Sequence, residues 1–237
     1  VAEVKTLTRG FDWVAAGVVA VVFFLFYYAT SYRWAFPGQS AQLLTLLTGA
    51  RPNTMFEHFV WQKLMGAVVA VAGPGSAVAA ATVVGMAVSA LGLGLAFLVT
   101  TALYVLLIDR SPPGVPKQSG AFHADFAARF GGFATTLALA FSAPFWVAAS
   151  RVNANALYLL WMLACAYPML RFMANGRLST LFAVSTLYGM GMSQSSTLIL
   201  FSPVFAGTAF LGLVRAEKLN ALNVAGAVGL AAAGFIG

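Results

Sequence analysis

Long apolar runs broken by short polar stretches set the pattern of this chain. The run at 14–28, VAAGVVAVVFFLFYY, lacks the period-2 alternation of a membrane β-strand and reads as helix. Crossing a bilayer takes roughly 20 apolar residues. Scanning the runs against charged punctuation predicts six spans, over 13–30, 76–108, 130–149, 154–173, 178–192 and 197–214, with a seventh beginning near Leu222. The second is long enough to tilt or to protrude. The stretch 62–73 is too short to span, follows a polar loop and ends at Gly73-Pro74-Gly75, so it predicts an interfacial or re-entrant helix.

Composition sharpens this reading. Of 237 residues, 61% are hydrophobic and 8% charged. A soluble domain carries about 25% charged residues, so an all-α, polytopic membrane bundle is expected. The net charge of +7 comes from 13 basic residues scattered singly, without the basic stripe of a nucleic-acid binder. With the N-terminus cytoplasmic, Lys5, Arg9, Arg110, Lys117, Arg129, Arg171, Arg177, Arg215 and Lys218 fall inside, and Arg33, Arg51, Lys63 and Arg151 outside. That division, nine against four, fits the positive-inside rule. It makes 31–75 an outer loop with short interfacial helices and 109–128 a Pro-rich cytoplasmic loop. A multi-pass protein of a bacterial inner membrane is expected. Residues 1–237 read as one transmembrane domain, and the ends, Val1 and an apolar run stopping at Gly237, as those of a partial or processed chain. The lone Cys165 offers no disulfide framework.

Polar residues beside spans are the candidates for function. The stretch RWAFPGQSAQLL breaks the first span at Pro37-Gly38; Ser40 caps a short surface helix, and Gln39 and Gln42 form its wet face or a site. Glu57 is the one acid the charge count leaves outside, and it sits beside His58. Such a pair suits general acid–base work, or simply anchors a loop. Arg151, followed by Asn153 and Asn155, marks an outer turn; Arg is suited to holding a phosphate and is equally an interfacial anchor. The run Ser193-Gln194-Ser195-Ser196-Thr197 follows Gly189 and Gly191 and offers consecutive hydrogen-bonding side chains, or an ordinary turn between helices. Small residues, Gly85, Gly92 and Gly94 in the second span and Ala225, Gly229 and Ala233 in the last, predict close helix packing within the bundle. No metal-ligand spacing, phosphate-binding glycine loop or cofactor motif occurs.

The order of these clusters resembles a known family. The segments are the outer loop with Pro37-Gly38, the text LAFSAPFW from Leu139 to Trp146 running on to Tyr158, and Tyr188-Gly189-Met190-Gly191-Met192. Together, over about 13–205, they are similar to the polytopic family called domain of unknown function 2723, which groups with protein O-mannosyltransferases of GT-C architecture. The resemblance implies a helical bundle with a non-cytoplasmic active site, a polyprenyl-phosphate-linked sugar donor and an acidic base in the first outer loop. Gln39 and Gln42 stand where the family has Asp and Glu; Asn153 and Asn155 lie near its glutamates, and Gln194 and Ser195 near its Asn-His pair. Every carboxylate or imidazole expected from the resemblance has become an amide or hydroxyl, and an amide takes no proton at neutral pH. The expectation is therefore twofold. One reading is a glycosyltransferase with Glu57, His58, Gln39 and Gln42 at the catalytic position and Arg151, Asn153, Asn155, Gln194 and Ser195 binding substrate. The other is a degenerate relative serving as a binding or assembly subunit. Membrane lipid, a lipid-linked sugar and other membrane subunits are the expected partners, and nucleic acid is not.

Overall fold

A computed structural model describes residues 7–31, 45, 59–109 and 121–236. Among these residues every regular element is helical. They are α1 (Gly10–Thr30), α2 (Phe59–Ala72), a 3-10 turn (Pro74–Ser76), α3 (Ala77–Asp109), α4 (Ala121–Ala140), α5 (Ala143–Ala149), α6 (Asn155–Asn175), α7 (Leu178–Met192), α8 (Ser196–Leu200), α9 (Ser202–Arg215) and α10 (Ala221–Ile236).

Three helices, α1, α3 and α6, are long and apolar enough to cross a membrane, and α4 with α5 adds a fourth if that bent pair is one span. These long apolar helices are consistent with an integral membrane protein. The helix α1 shows the arrangement: Phe11, Val14, Val18, Val21 and Leu25 point outward while Asp12, Ala16, Val19, Phe23 and Tyr27 are buried. An outer face of bare hydrocarbon side chains is unfavourable in water and suited to lipid.

The helices share two ends. At one, here the Asp12 end, α1 and α4 begin, α3 finishes, and Thr8 bonds Tyr167 near the end of α6. At the other, the Gln194 end, α1 meets α5, where the Trp146 indole N–H donates to Thr30 Oγ1 at 3.4 Å. Also at this end, α2 packs on the first turns of α3 and α6 through Trp61, Met65, Ala81, Val152 and Tyr158. Gly73, with φ of 81°, turns the chain out of α2, as the Gly-Pro-Gly text predicts. Gly176, with φ of 63°, ends α6 and donates its N–H to the Phe172 carbonyl at 2.7 Å.

Two predicted spans are broken. The third, expected over 130–149, is α4 bent by 70° into α5. Its helix starts at Ala121, so the expected loop over 109–128 is helical in its second half. The sixth, expected over 197–214, is divided at Phe201 into α8 and α9. The cause is the same in both. Pro144 and Pro203 each stand in the first turn after the break, lack an N–H, and clash with the carbonyl four residues earlier. A tyrosine meets each break. Tyr27 donates its hydroxyl to the Ala140 carbonyl at 3.0 Å, which Pro144 leaves without its helical donor, and the Tyr188 hydroxyl bonds the Leu198 carbonyl.

Close packing falls partly on the expected small residues. A Cβ on Gly94 would lie 2.7 Å from the Ala16 carbonyl oxygen, so α1 and α3 touch backbone to backbone, whereas Gly92 has open space. The helix α10 runs parallel to α7 and crosses it at Gly189, where a Cβ would lie 1.9 Å from the Ala231 oxygen, and at Gly234, where one would lie 2.3 Å from the Thr186 oxygen. The expected stripe Ala225, Gly229 and Ala233 lies on the exposed side of α10. The packed face is rotated by about one residue to Gly226, Ala227 and Gly234.

Candidate functional site at the Gln194 end

Two polar turns and one helix start come together here. Gln194, in the turn after α7, accepts the Val60 N–H on its Oε1 at 2.7 Å and donates its Nε2 to Ser193 Oγ at 2.9 Å. It thereby satisfies a backbone donor in the first turn of α2, where no intrahelical partner exists. One residue on, Trp61 is fully buried against Val152 and Ala154 from the turn after α5. The helix α2 is thus clamped between the Arg151–Asn155 turn and the Gln194 turn. The Arg151 carbonyl lies against Gly85 of α3, close enough that a Cβ there would sit 3.4 Å away.

Within the two turns the polar side chains mostly serve the backbone. Asn153 Oδ1 accepts the Asn155 N–H at 2.7 Å, an Asx turn immediately before α6. Ser195 Oγ accepts the Thr197 N–H at 3.3 Å, capping α8. Ser195 is thus a helix cap, while Asn153 closes a local turn just before the helix, whose N-cap is Ala154. Ser195 is buried, Asn155 exposed, and Arg151, Asn153 and Gln194 half-buried. Arg151 is the one formal charge among the five substrate-binding candidates. Gln39, Gln42, Glu57 and His58 lie outside the described residues, although His58 directly precedes α2 in the chain. The surface helix expected over 41–47 also lies outside them, apart from Thr45.

Two features escaped the sequence reading. The Trp61 indole N–H is buried without a hydrogen-bond partner, an orphan donor beside the clamp. At the Asp12 end, four charges form a chain between α1 and α4. Arg129 reaches Asp12 twice, through Nε at 2.6 Å and Nη2 at 3.2 Å, and Asp125 lies between Arg129 and Arg9. Asp12 is fully buried and also accepts the Arg9 N–H at 2.7 Å, capping α1. The available signal was an acid in the first turn of an apolar helix, with Asp125 and Arg129 four residues apart on one helical face.

Among the described residues no three His, Cys, Asp or Glu side chains gather as a metal site. Comparison with family models, with curated proteins and with solved structures gives no match for this chain.

Proposed function

We propose that this chain is a membrane-embedded glycosyltransferase of GT-C type, working on the Gln194 side of the membrane with a polyprenyl-phosphate-linked sugar. In this reading six to seven spans cross a bacterial inner membrane, the short helices α7, α9 and α10 included, and the Asp12 end faces the cytoplasm. The described basic residues favour that orientation: Arg9, Arg129, Arg171, Arg177, Arg215 and Lys218 are carried toward the Asp12 end, and Lys63 and Arg151 lie at the other. The observation that carries the reading is the clamp on α2. It brings the Arg151 turn and the Gln194 turn to the helix that the chain enters from Glu57-His58. Glu57 would accept the proton of the acceptor hydroxyl, and Arg151 would bind the donor phosphate.

The test is sugar transfer in proteoliposomes containing labelled polyprenyl-phosphate sugar. Glu57→Gln is expected to lower turnover by at least about 100-fold, the usual contribution of a general base. Arg151→Ala is expected to raise KM for the donor. Transfer that is unaffected by Glu57→Gln defeats the assignment.

A second reading, a catalytically degenerate binding or assembly subunit, is favoured by a separate observation. Asn153, Gln194 and Ser195 are occupied with backbone N–H groups, and the chain has amides at 39 and 42. Its expected outcome is no transfer by the unmodified protein with any donor, together with a stoichiometric membrane partner retained through purification.

A further inference from the structure

Between α7, α9 and α10 lies an open cleft of about 680 Å³, walled by Tyr188, Phe205, Ala209, Val224, Val228 and Phe235 among others. Its polar surface is almost nil. The Tyr188 hydroxyl is turned into the Leu198 carbonyl, and the Ser202 hydroxyl onto Met192 Sδ at 3.3 Å. Such walls cannot replace the hydration of a sugar or a nucleotide, so the occupant must be hydrocarbon. Along α9 the cleft extends from Ser202 to Leu213, and along α10 from Val224 to Phe235.

One end of the cleft is spanned by the turn joining α9 to α10. That turn carries Arg215 and Lys218, with Glu217 between them, and Arg177 stands just before α7. A smaller cavity of about 220 Å³ adjoins through the last turn of α9 and is bordered by Asn175, Gly176, Arg215 and Lys218. Lys218 Nζ donates to the Gly176 carbonyl at 3.0 Å, while Arg177 and Arg215 are exposed. The dry slot thus ends beside a smaller cavity bordered by two cations, Arg215 and Lys218. That is the profile of an amphiphile with hydrocarbon tails and an anionic head.

We infer that the α7/α9/α10 cleft holds an acyl chain of an anionic phospholipid whose phosphate lies at Arg215 and Lys218. These two cations are at the Asp12 end, opposite the proposed sugar-transfer site, so the inference stands or falls independently of that activity.

The full chain in phosphatidylcholine nanodiscs, doped in parallel with diazirine-tailed phosphatidylglycerol or diazirine-tailed phosphatidylcholine, gives the test. Photolabelled peptides are mapped by mass spectrometry. The glycerol probe is expected to label peptides from α9 and α10 at least five-fold more than the choline probe. Unlabelled phosphatidylglycerol, but not unlabelled phosphatidylcholine, should compete. The double variant Arg215→Gln, Lys218→Gln should bring the two probes level, and Ala209→Phe, which fills the slot, should abolish labelling of the cleft. Equal labelling of the unmodified protein by both probes, with no selective competition, would make this ordinary boundary lipid and overturn the inference. Absence of label from the cleft, with crosslinks between copies of the chain across α10, would overturn it in favour of a protein occupant. The competition experiment needs no variant, so it decides the matter even where a mutant misfolds.

Discussion

Single side chains carry unusual weight where the helices are forced apart from regularity. Tyr27 supplies the donor that Pro144 withholds from the Ala140 carbonyl, in a fully buried position. Tyr27→Phe leaves that carbonyl unpaired, so a loss of about 1–3 kcal/mol is expected in a thermal or denaturant melt of the purified protein. The charge chain at the other end separates into a strong and a weak half. Removing Asp12 leaves Arg129, 21% exposed, with only its longer contact to Asp125 and takes the acceptor from the Arg9 N–H, so Asp12→Ala should cost about 1–3 kcal/mol. Asp125→Ala loosens the solvent-accessible link to Arg9 and should cost under about 1 kcal/mol in the same assay. Equal losses at the two positions would contradict the difference in burial between them. Neither contact is legible in the sequence, because Asp12 and Arg129 are 117 residues apart and nothing in either apolar run pairs them.

At the scale of elements, sequence and structure agree where polar residues bracket an apolar run. The helix α7 covers 178–192 as expected, bounded by Arg177 and Ser193. Agreement fails where the next element begins without a visible boundary. The first turns of α4 carry His123, Asp125 and Arg129, a polar stretch that reads as loop or its edge until Arg129 is seen to meet Asp12 and Asp125 to meet Arg9. The breaks before Pro144 and Pro203 fall inside continuous apolar text, and hydropathy alone averages across them. Two parallel helices, α7 and α10, depend on glycine for contact. Gly189→Leu must push against the Ala231 backbone, so it should lower stability by about 1–3 kcal/mol, while Gly229→Leu, on the open side, should change it little. Likewise Gln194→Ala should free the first turn of α2. About 1 kcal/mol of protection is expected to be lost there in hydrogen exchange, with α3 unchanged.

For the molecule as a whole, the helical class was readable from the apolar runs. The candidate site was readable only in outline. Its turns do converge, but Asn153, Gln194 and Ser195, which marked them in the sequence, accept backbone N–H groups, and such bonds depend on φ/ψ that residue type leaves open. A lysine at each end allows the orientation to be measured. Lys63→Cys and Lys218→Cys are both at exposed positions, and an impermeant maleimide on intact cells should label the first and spare the second. Reversed labelling would invert the proposed topology. One feature makes that measurement unusually clean. The chain's single thiol, Cys165, is buried in α6 among Met169, Phe172 and Leu181. The chain is therefore already a silent background for thiol chemistry. Spin labels, fluorophores or crosslinkers can be introduced one position at a time without first replacing its own cysteine.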